Sequence, residues 1–532
     1  LSRLQKVCAS ARALADRRPA KIHPAIKRNY MSVIKPDEWI CRENCSYYKP
    51  NRIELERCRG YTLATDIFEL KPPIQPHDEP EAFDPLFEKS FLRSNVCEAC
   101  PFYIDDCDFT SVTPPKNCLP CGGLIALSKA LKGNQLCLAD VRLANLKNLG
   151  DQAYLRISDE ASLKQLEQPH IYSIVNDELY EVNEDGYQFS TNCNGLSTVE
   201  SLCPDREFLE FCVSEGLVSA SGRPDQKKMV LGTSPDPSLR YLEWLVTYRC
   251  NLKCAHCYLG EDRPEDFPEH LIVPLLQEFS AMQGLRVLVS GGEPTLYRGF
   301  RKLNELIPQF PLRFVLLSNG MVVDDNLTRL LNFHEIQISL DGMEKGHESI
   351  RGNGSFQRAL KAMESIKNAG LDLSIATMIH SGNLDEWEDM RQLLESFEIR
   401  EWSIDYPCVK GRFQNHPELE VDVLEAARRM EYGFGGSYHG ASAGWTCGRH
   451  LVAVLPNGDV CRCGLYPEKR LGTVQDGLLK AWKNVGHIPI EATKCKGCGH
   501  SSECGGGCRY RAGGHLERDL IMCALYGEPV EP

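Results

Sequence analysis

Six times between Leu242 and Tyr406, a short apolar, β-branched run gives way to a stretch with helical spacing. The runs are Leu242–Tyr248, Arg286–Ser290, Leu312–Leu317, Glu335–Leu340, Asp372–Met378 and Arg400–Tyr406. Strands apolar on both faces are those covered by helices in parallel sheets. Between them, Phe356–Lys367 and Leu384–Phe397 repeat apolar residues three and four apart, which predicts helices with one buried stripe. This succession predicts an α/β fold, a partial (β/α)6 TIM-like barrel spanning 240–408. A doubly wound sheet is the structural alternative. In a barrel the chemistry sits at the C-terminal ends of the strands.

Outside this core the pattern changes. Gly222–Ser238 is proline-rich and aperiodic, which reads as a linker over 223–239. Before it, 150–222 predicts a small winged-helix-like α+β domain. Pro169–Asn183 reads as a hairpin turning at Asn176-Asp177, and Gly186–Cys193 and Ser197–Glu215 read as helical. Further upstream, 37–148 is cysteine-rich with proline-heavy loops, and residues 1–36 form an N-terminal extension. Downstream, 409–444 reads as a bridge, and 445–532 is rich in glycine and cysteine with little periodicity.

A chain of 532 residues exceeds one hydrophobic core, so several domains are expected. The net charge of −13 argues against a general nucleic-acid or membrane-surface binder. No run approaches the roughly 20 apolar residues of a membrane span. The arginine-rich start, Leu1 to Ala20, lacks a secretory apolar core, so a cytoplasmic protein is expected. The 25 cysteines fall in bunches, which points to metal in place of disulfides.

The first predicted strand ends in Cys250-x3-Cys254-x2-Cys257, followed by Tyr258. Three thiolates on one short loop can hold three irons of a [4Fe–4S] cluster and leave the fourth open, with a zinc loop as the alternative. The second strand ends in Ser290-Gly291-Gly292-Glu293-Pro294, where glycines let backbone approach a ligand. Together these residues resemble the radical S-adenosylmethionine (SAM) superfamily. The resemblance implies that Cys250, Cys254 and Cys257 form the catalytic cluster, whose open iron is chelated by SAM. It also implies that the Gly291-Gly292-Glu293-Pro294 backbone takes the methionine amino group. Tyr258 would lie against the adenine, Ser339 near the ribose and Arg351 near the SAM carboxylate.

The tail reads Cys447-x10-Gly458-x4-Cys463, then Cys495-x2-Cys498-x5-Cys504-x3-Cys508 and finally Cys523. This resembles the SPASM extension of radical SAM enzymes that modify peptides and proteins. By that resemblance Cys447, Cys463 and Cys508 bind one auxiliary [4Fe–4S] cluster, and Cys495, Cys498, Cys504 and Cys523 a second. Pro456-Asn457-Gly458-Asp459 predicts a two-residue hairpin turn between strands Leu451–Leu455 and Val460–Gly464. Alternate strand residues share a face, which makes Cys461 the candidate fourth ligand beside Cys463. Cys408, after the sixth strand, is a thiol that can face the barrel mouth.

Residues 150–222 resemble a PqqD-like element, which captures a precursor peptide by strand addition. The N-terminal Cys41, Cys45, Cys58, Cys97, Cys100, Cys107, Cys118 and Cys121 can supply two four-ligand sites. Zn and Fe–S both fit their spacing. The resemblance as a whole implies a radical SAM oxidoreductase that crosslinks a ribosomally made peptide, fed by a reductant such as ferredoxin or flavodoxin. A small-molecule cofactor precursor as substrate, and a non-catalytic Fe–S electron carrier, are the alternatives.

Overall fold

The structure, a computed structural model, describes residues 62–65, 67, 127–128, 130–131 and 136–530, apart from 230, 262 and 436–443. The eight N-terminal candidate ligands, Cys41 to Cys121, lie outside the described residues. The chain forms two compact units, Leu1–Tyr154 with Ala220–Pro224, and Leu155–Ser219 with Asp225–Pro532. Residues 155–219 of the stretch expected as the 150–222 domain fall within the second unit.

In the first unit, helix Leu138–Leu149 starts at Cys137, whose backbone N–H and thiol both donate to Asp140. Buried Asn145 donates to the Ala220 carbonyl at 2.9 Å.

Six short strands precede the barrel: β1 (Tyr154–Ile157), β2 (Ala161–Gln165), β3 (Pro169–Ser173), β4 (Glu178–Glu181), β5 (Asn194–Thr198) and β6 (Val218–Ser221). The predicted hairpin is β3–β4, turning through Asp177 at φ 56°. Its sheet has the order β2-β3-β4, so β4 is an edge. Helix Glu184–Asn192 matches the first helical expectation. The second, Ser197–Glu215, is broken. Asn194–Thr198 is a strand, and after a short turn of helix Cys203 adopts a left-handed conformation before helix Arg206–Ser214 begins at the Asp205 cap. Pro204 prevents one helix from running through, because its ring excludes helical backbone before it.

The barrel strands are β7 (Tyr241–Thr247), β8 (Arg286–Gly291), β9 (Arg313–Ser318), β10 (Glu335–Ser339), β11 (Asp372–Met378) and β12 (Glu401–Asp405), all paired in parallel. They lie side by side in chain order. A doubly wound sheet would reverse that order at a switch point, so the sequential order selects the barrel. The sheet continues past β7 through β13 (Leu451–Val454), β14 (Asp459–Cys461) and β15 (Arg470–Thr473). β13 is parallel to β7 and antiparallel to β14, which grafts the cysteine-rich tail directly onto the barrel edge.

Alternation explains the core. Leu242, Trp244 and Val246 of β7 pack outward with Phe279 and Leu275 of the first helix layer, and Val287, Phe314, Ile336 and Ile375 continue that face. The opposite residues, such as Leu288 and Val315, form a separate cluster.

The N-terminal ends of the strands are closed by the β3–β4 tip. Arg313, fully buried, donates to the carbonyls of Ile174 at 2.9 Å and Val175 at 2.7 Å, and pairs with Glu335 at 2.8 Å and Asp372 at 2.7 Å. Arg286 pairs with Asp177, and Arg400 donates to the Asn176 carbonyl. Lys164 donates to the carbonyls of Gly284 at 2.7 Å and Pro311 at 3.1 Å. Among the described residues no helix is long and apolar enough to cross a membrane.

Candidate active site and cysteine centres

Cys250, Cys254 and Cys257 lie on the loop after β7, at the C-terminal end of the barrel. The loop is pinned from several sides. Ala255 N–H donates to the Ile350 carbonyl at 2.9 Å, and Cys257 N–H closes a turn onto the Cys254 carbonyl at 3.2 Å. Donors point at the sulfurs: Leu252 N–H reaches Cys250 Sγ at 3.5 Å, Asn319 Nδ2 the same sulfur at 3.9 Å, and Arg351 Nη1 reaches Cys254 Sγ at 3.9 Å. The three thiols lie within electrostatic reach of one another, and burial pushes Cys254 up to about 11. Three soft thiols surrounded by N–H donors fit an iron–sulfur cluster, whose sulfurs need such hydrogen bonds.

The glycine turn sits beside this loop. Gly292 N–H donates to the Thr247 carbonyl at 2.8 Å, and Glu293 N–H to the Arg249 carbonyl at 2.7 Å. A Cβ on Gly292 would stand 2.2 Å from the Arg249 carbonyl oxygen, so only glycine permits the approach. Pro294, buried, starts the short 3-10 turn that follows. The Glu293 carboxylate is taken up within the protein. It accepts from Asn319 N–H at 2.8 Å, Ser318 Oγ at 3.0 Å and Thr295 Oγ1 at 2.7 Å. Its side chain ties the end of β8 to the end of β9, leaving only the backbone of this segment to meet a ligand.

Arg351 lies beside the cysteine loop. Its guanidinium pairs with buried Asp341 and contacts His256 Nε2 at 3.4 Å. Burial raises the Asp341 carboxyl, but Arg351 outweighs it and holds the group well below the usual carboxylate range. Burial pushes His256 down to about 3, so its imidazole is neutral. Arg351 is thus paired with Asp341, on the loop after β10. Ser339, half-buried, ends β10 beside Ala376 of β11. Tyr258 lies near Glu243 and Cys463, and its hydroxyl would stand 3.2 Å from a Cβ on Gly464. Gly464 N–H donates to Glu243 Oε2 at 2.9 Å. Glu243, inward on β7, was not foreseen. A lone acid in an apolar strand was its only signal.

The tail cysteines gather as two sets. Cys447, Cys463 and Cys508 act on one another electrostatically, and so do Cys495, Cys504 and Cys523. Cys498 follows Cys495 in a turn, with its Sγ 3.6 Å from Glu528. Cys461 stands apart from both sets. Its side chain is fully buried against Leu245, Ala453 and Leu455, and Sγ donates to the Pro467 carbonyl at 3.4 Å. The reason is local. Leu455 N–H pairs with the Asp459 carbonyl around a three-residue loop with Gly458 left-handed, in place of the expected two-residue turn. A bulge then follows at Val460/Cys461, and β14 ends at Cys461. Alternation does not carry from Cys461 to Cys463 once the strand has stopped.

A parallel barrel with a three-cysteine loop at one strand end and a glycine turn at the next defines a radical SAM domain. Residues 244–394 match the family model of the Radical SAM superfamily. The chain is 27% identical over 302 residues to the mycofactocin maturase MftC of Mycolicibacterium smegmatis, covering 50% of this chain and 77% of that protein. It is 21% identical over 347 residues to the antilisterial bacteriocin subtilosin biosynthesis protein AlbA of Bacillus subtilis, covering 56% and 75%. In fold it is similar to Streptococcus suis SuiB bound to precursor peptide SuiA, with TM-score 0.53, 15% identity, and coverage of 69% of this chain and 99% of that one.

Proposed function

We propose that this chain is a radical SAM oxidoreductase that oxidatively crosslinks a ribosomally synthesised peptide. The observation that carries it is the Gly291-Gly292 turn pressed onto the Thr247–Arg249 backbone that leads into the Cys250–Cys257 loop, which builds one cradle from two adjacent strand ends. Bound there, a reduced [4Fe–4S] cluster and SAM supply a 5′-deoxyadenosyl radical able to take a hydrogen atom from substrate. Cys250, Cys254 and Cys257 would hold that cluster. The backbone at 291–294 would meet the SAM amino group, with Ser339 and Tyr258 facing the nucleoside. Arg351, neutralised by Asp341, would position the Cys254 side of the cluster. Cys447, Cys463 and Cys508, and Cys495, Cys498, Cys504 and Cys523, would hold two auxiliary clusters in a SPASM-type domain.

Peptide as the substrate is supported by what the similar proteins do: maturation of mycofactocin and subtilosin biosynthesis, and in SuiB the binding of a precursor peptide. The β2-β3-β4 module would act as the PqqD-like capture element. Its strand β4, an open edge among the described residues, carries Tyr180 packed edge-on against Phe211, with ring centroids 5.6 Å apart, which provides a strand edge and an adjoining apolar surface. A ferredoxin or flavodoxin would supply electrons.

The test is anaerobic incubation of the iron-loaded protein with reductant, SAM and peptides encoded beside its gene, followed by mass spectrometry. Loss of two hydrogen atoms from one peptide, together with 5′-deoxyadenosine, is the expected result. Deoxyadenosine with every peptide unchanged would move the substrate to a small molecule, and no deoxyadenosine at all would reduce the protein to an electron carrier.

A further inference from the structure

The segment after β12 touches both cysteine regions. Cys408 is half-buried, and its thiol lies beside that of Cys508. Lys410 Nζ donates to the Leu465 carbonyl at 2.7 Å, just past Cys463. Gly411, left-handed at φ 60°, lies against the Cys257 loop so closely that a Cβ would stand 2.4 Å from the Cys257 carbonyl oxygen. Arg412 N–H donates to that same carbonyl at 2.9 Å.

The Cys508 side is fastened independently. Cys508 N–H donates to Asp519 Oδ2 at 2.8 Å, and Arg511 pairs with Asp519 at 2.7 Å and with Asp405 at the end of β12. Asp519 is buried and Arg511 nearly so, which fixes Cys508 beside the start of the Cys408 segment. Cys461 has none of these ties, and sits in an apolar nest with its thiol on the Pro467 carbonyl.

We propose that Cys408 is the fourth protein ligand of the auxiliary cluster held by Cys447, Cys463 and Cys508, so that this cluster has no open iron. The inference rests on the reading that those three cysteines hold a [4Fe–4S] cluster. Its consequence is that substrate binds to protein groups at the barrel mouth, and that this cluster serves only to move electrons. The short path from Cys408 through Lys410 to Arg412 then links the auxiliary site to the Cys257 loop by backbone.

The test uses full-length protein in which Cys250, Cys254 and Cys257 are replaced by Ala, which removes the cluster with the open iron. Reduced samples are titrated with cyanide and read by electron paramagnetic resonance, alongside iron and sulfide content. The parent is expected to be indifferent to cyanide, a result that needs no further variant. Cys408→Ala is expected either to lose about four irons per chain or to keep them and gain a cyanide-dependent spectrum. Cys461→Ala should match the parent in both readouts. A cyanide-sensitive parent, or a Cys408→Ala protein unchanged in iron and spectrum, overturns the assignment. Cys447→Ala separates this from the reading beneath it: retention of all its iron with a spectrum still indifferent to cyanide would mean that no auxiliary cluster is held there at all.

Discussion

Replacing Arg313 with Met should loosen the closed end of the barrel by an amount that depends on pH in a definite direction. Methionine fills most of the same space, so the loss is mainly charge and hydrogen bonding. Arg313 is fully buried and is bonded to Glu335, Asp372 and two carbonyls of the β3–β4 tip. Glu335, 1% exposed, would keep Ser374 Oγ at 2.6 Å and Arg400 at 3.8 Å. Breaking a buried ion pair typically costs 3–5 kcal/mol. Because Arg400 remains, about 3 kcal/mol is expected, which is roughly a hundredfold in a local opening equilibrium.

The sign with pH follows from Glu335. Burial raises its pKa, and Arg313 more than reverses this, so the folded carboxyl lies below its ordinary value. In the parent it therefore lends stability above an unfolded pKa of about 4.3, lost as pH falls through the folded value. In the variant Ser374, Arg286 and the more distant Arg400 oppose burial only in part, the folded pKa rises above the unfolded one, and the folded state gains as pH falls from 7 towards 5. The gap between the two proteins should narrow with acid. Anaerobic hydrogen–deuterium exchange over residues 169–181 and 313–318 reads it directly. Arg313→Met/Glu335→Gln should recover part of the loss. A pH-independent gap, or unchanged exchange in the hairpin, would refute the argument.

Three other outcomes are expected. Gly292→Ala should abolish deoxyadenosine formation while leaving iron content near that of the parent, because its Cβ would meet the Arg249 carbonyl and not a cysteine. Lys164 is pushed down to about 7 by burial, so the unfolded chain binds a proton that the folded chain lacks between about pH 7 and its unfolded value near 10.4. Parent stability should rise with pH across that window, and Lys164→Met, measured by anaerobic urea unfolding, should lack the slope. Tyr180→Ala should weaken precursor-peptide binding, measured by fluorescence anisotropy, without changing deoxyadenosine formed in the absence of peptide. Equal loss of both would place Tyr180 in the folding of the unit and not at a peptide edge.

How far the sequence could be read depended on what each pattern records. The barrel strands were legible because both faces of each are buried, so apolar runs mark them within a residue or two; Asp372–Met378 coincides with β11. The cysteine loop and the glycine turn were legible because their spacing is the chemistry. The closed end was not. Arg286, Arg313, Glu335, Asp372 and Arg400 each stand at or just before a strand start, where a charge looks like an ordinary boundary. Only the parallel register sets Arg313 beside Arg286 and Glu335 beside Asp372, as one network. Asp341 was hidden for the same reason, since its partner Arg351 lies on a different element.

The fourth-ligand question shows where pattern arguments stop. Cys461 was attractive because alternate strand residues share a face, a rule that holds only while the backbone stays extended. The bulge at Val460/Cys461 and the strand end after it remove that condition, and the Cys461 thiol turns into the core. Cys408 lies 100 residues before Cys508, a separation at which no local spacing can relate two thiols. What relates them is the sheet. β13 pairs with β7, placing the tail at the barrel edge, and Arg511 then ties the Cys508 segment to the last residue of β12. Replacing Arg511 with Lys, which keeps the charge but loses the fork that spans Asp405 and Asp519, should therefore weaken iron retention at this site while leaving Cys495, Cys504 and Cys523 loaded. An Arg511→Lys protein that retains iron as the parent does would mean that Cys408 and Cys508 are held together by the loop alone.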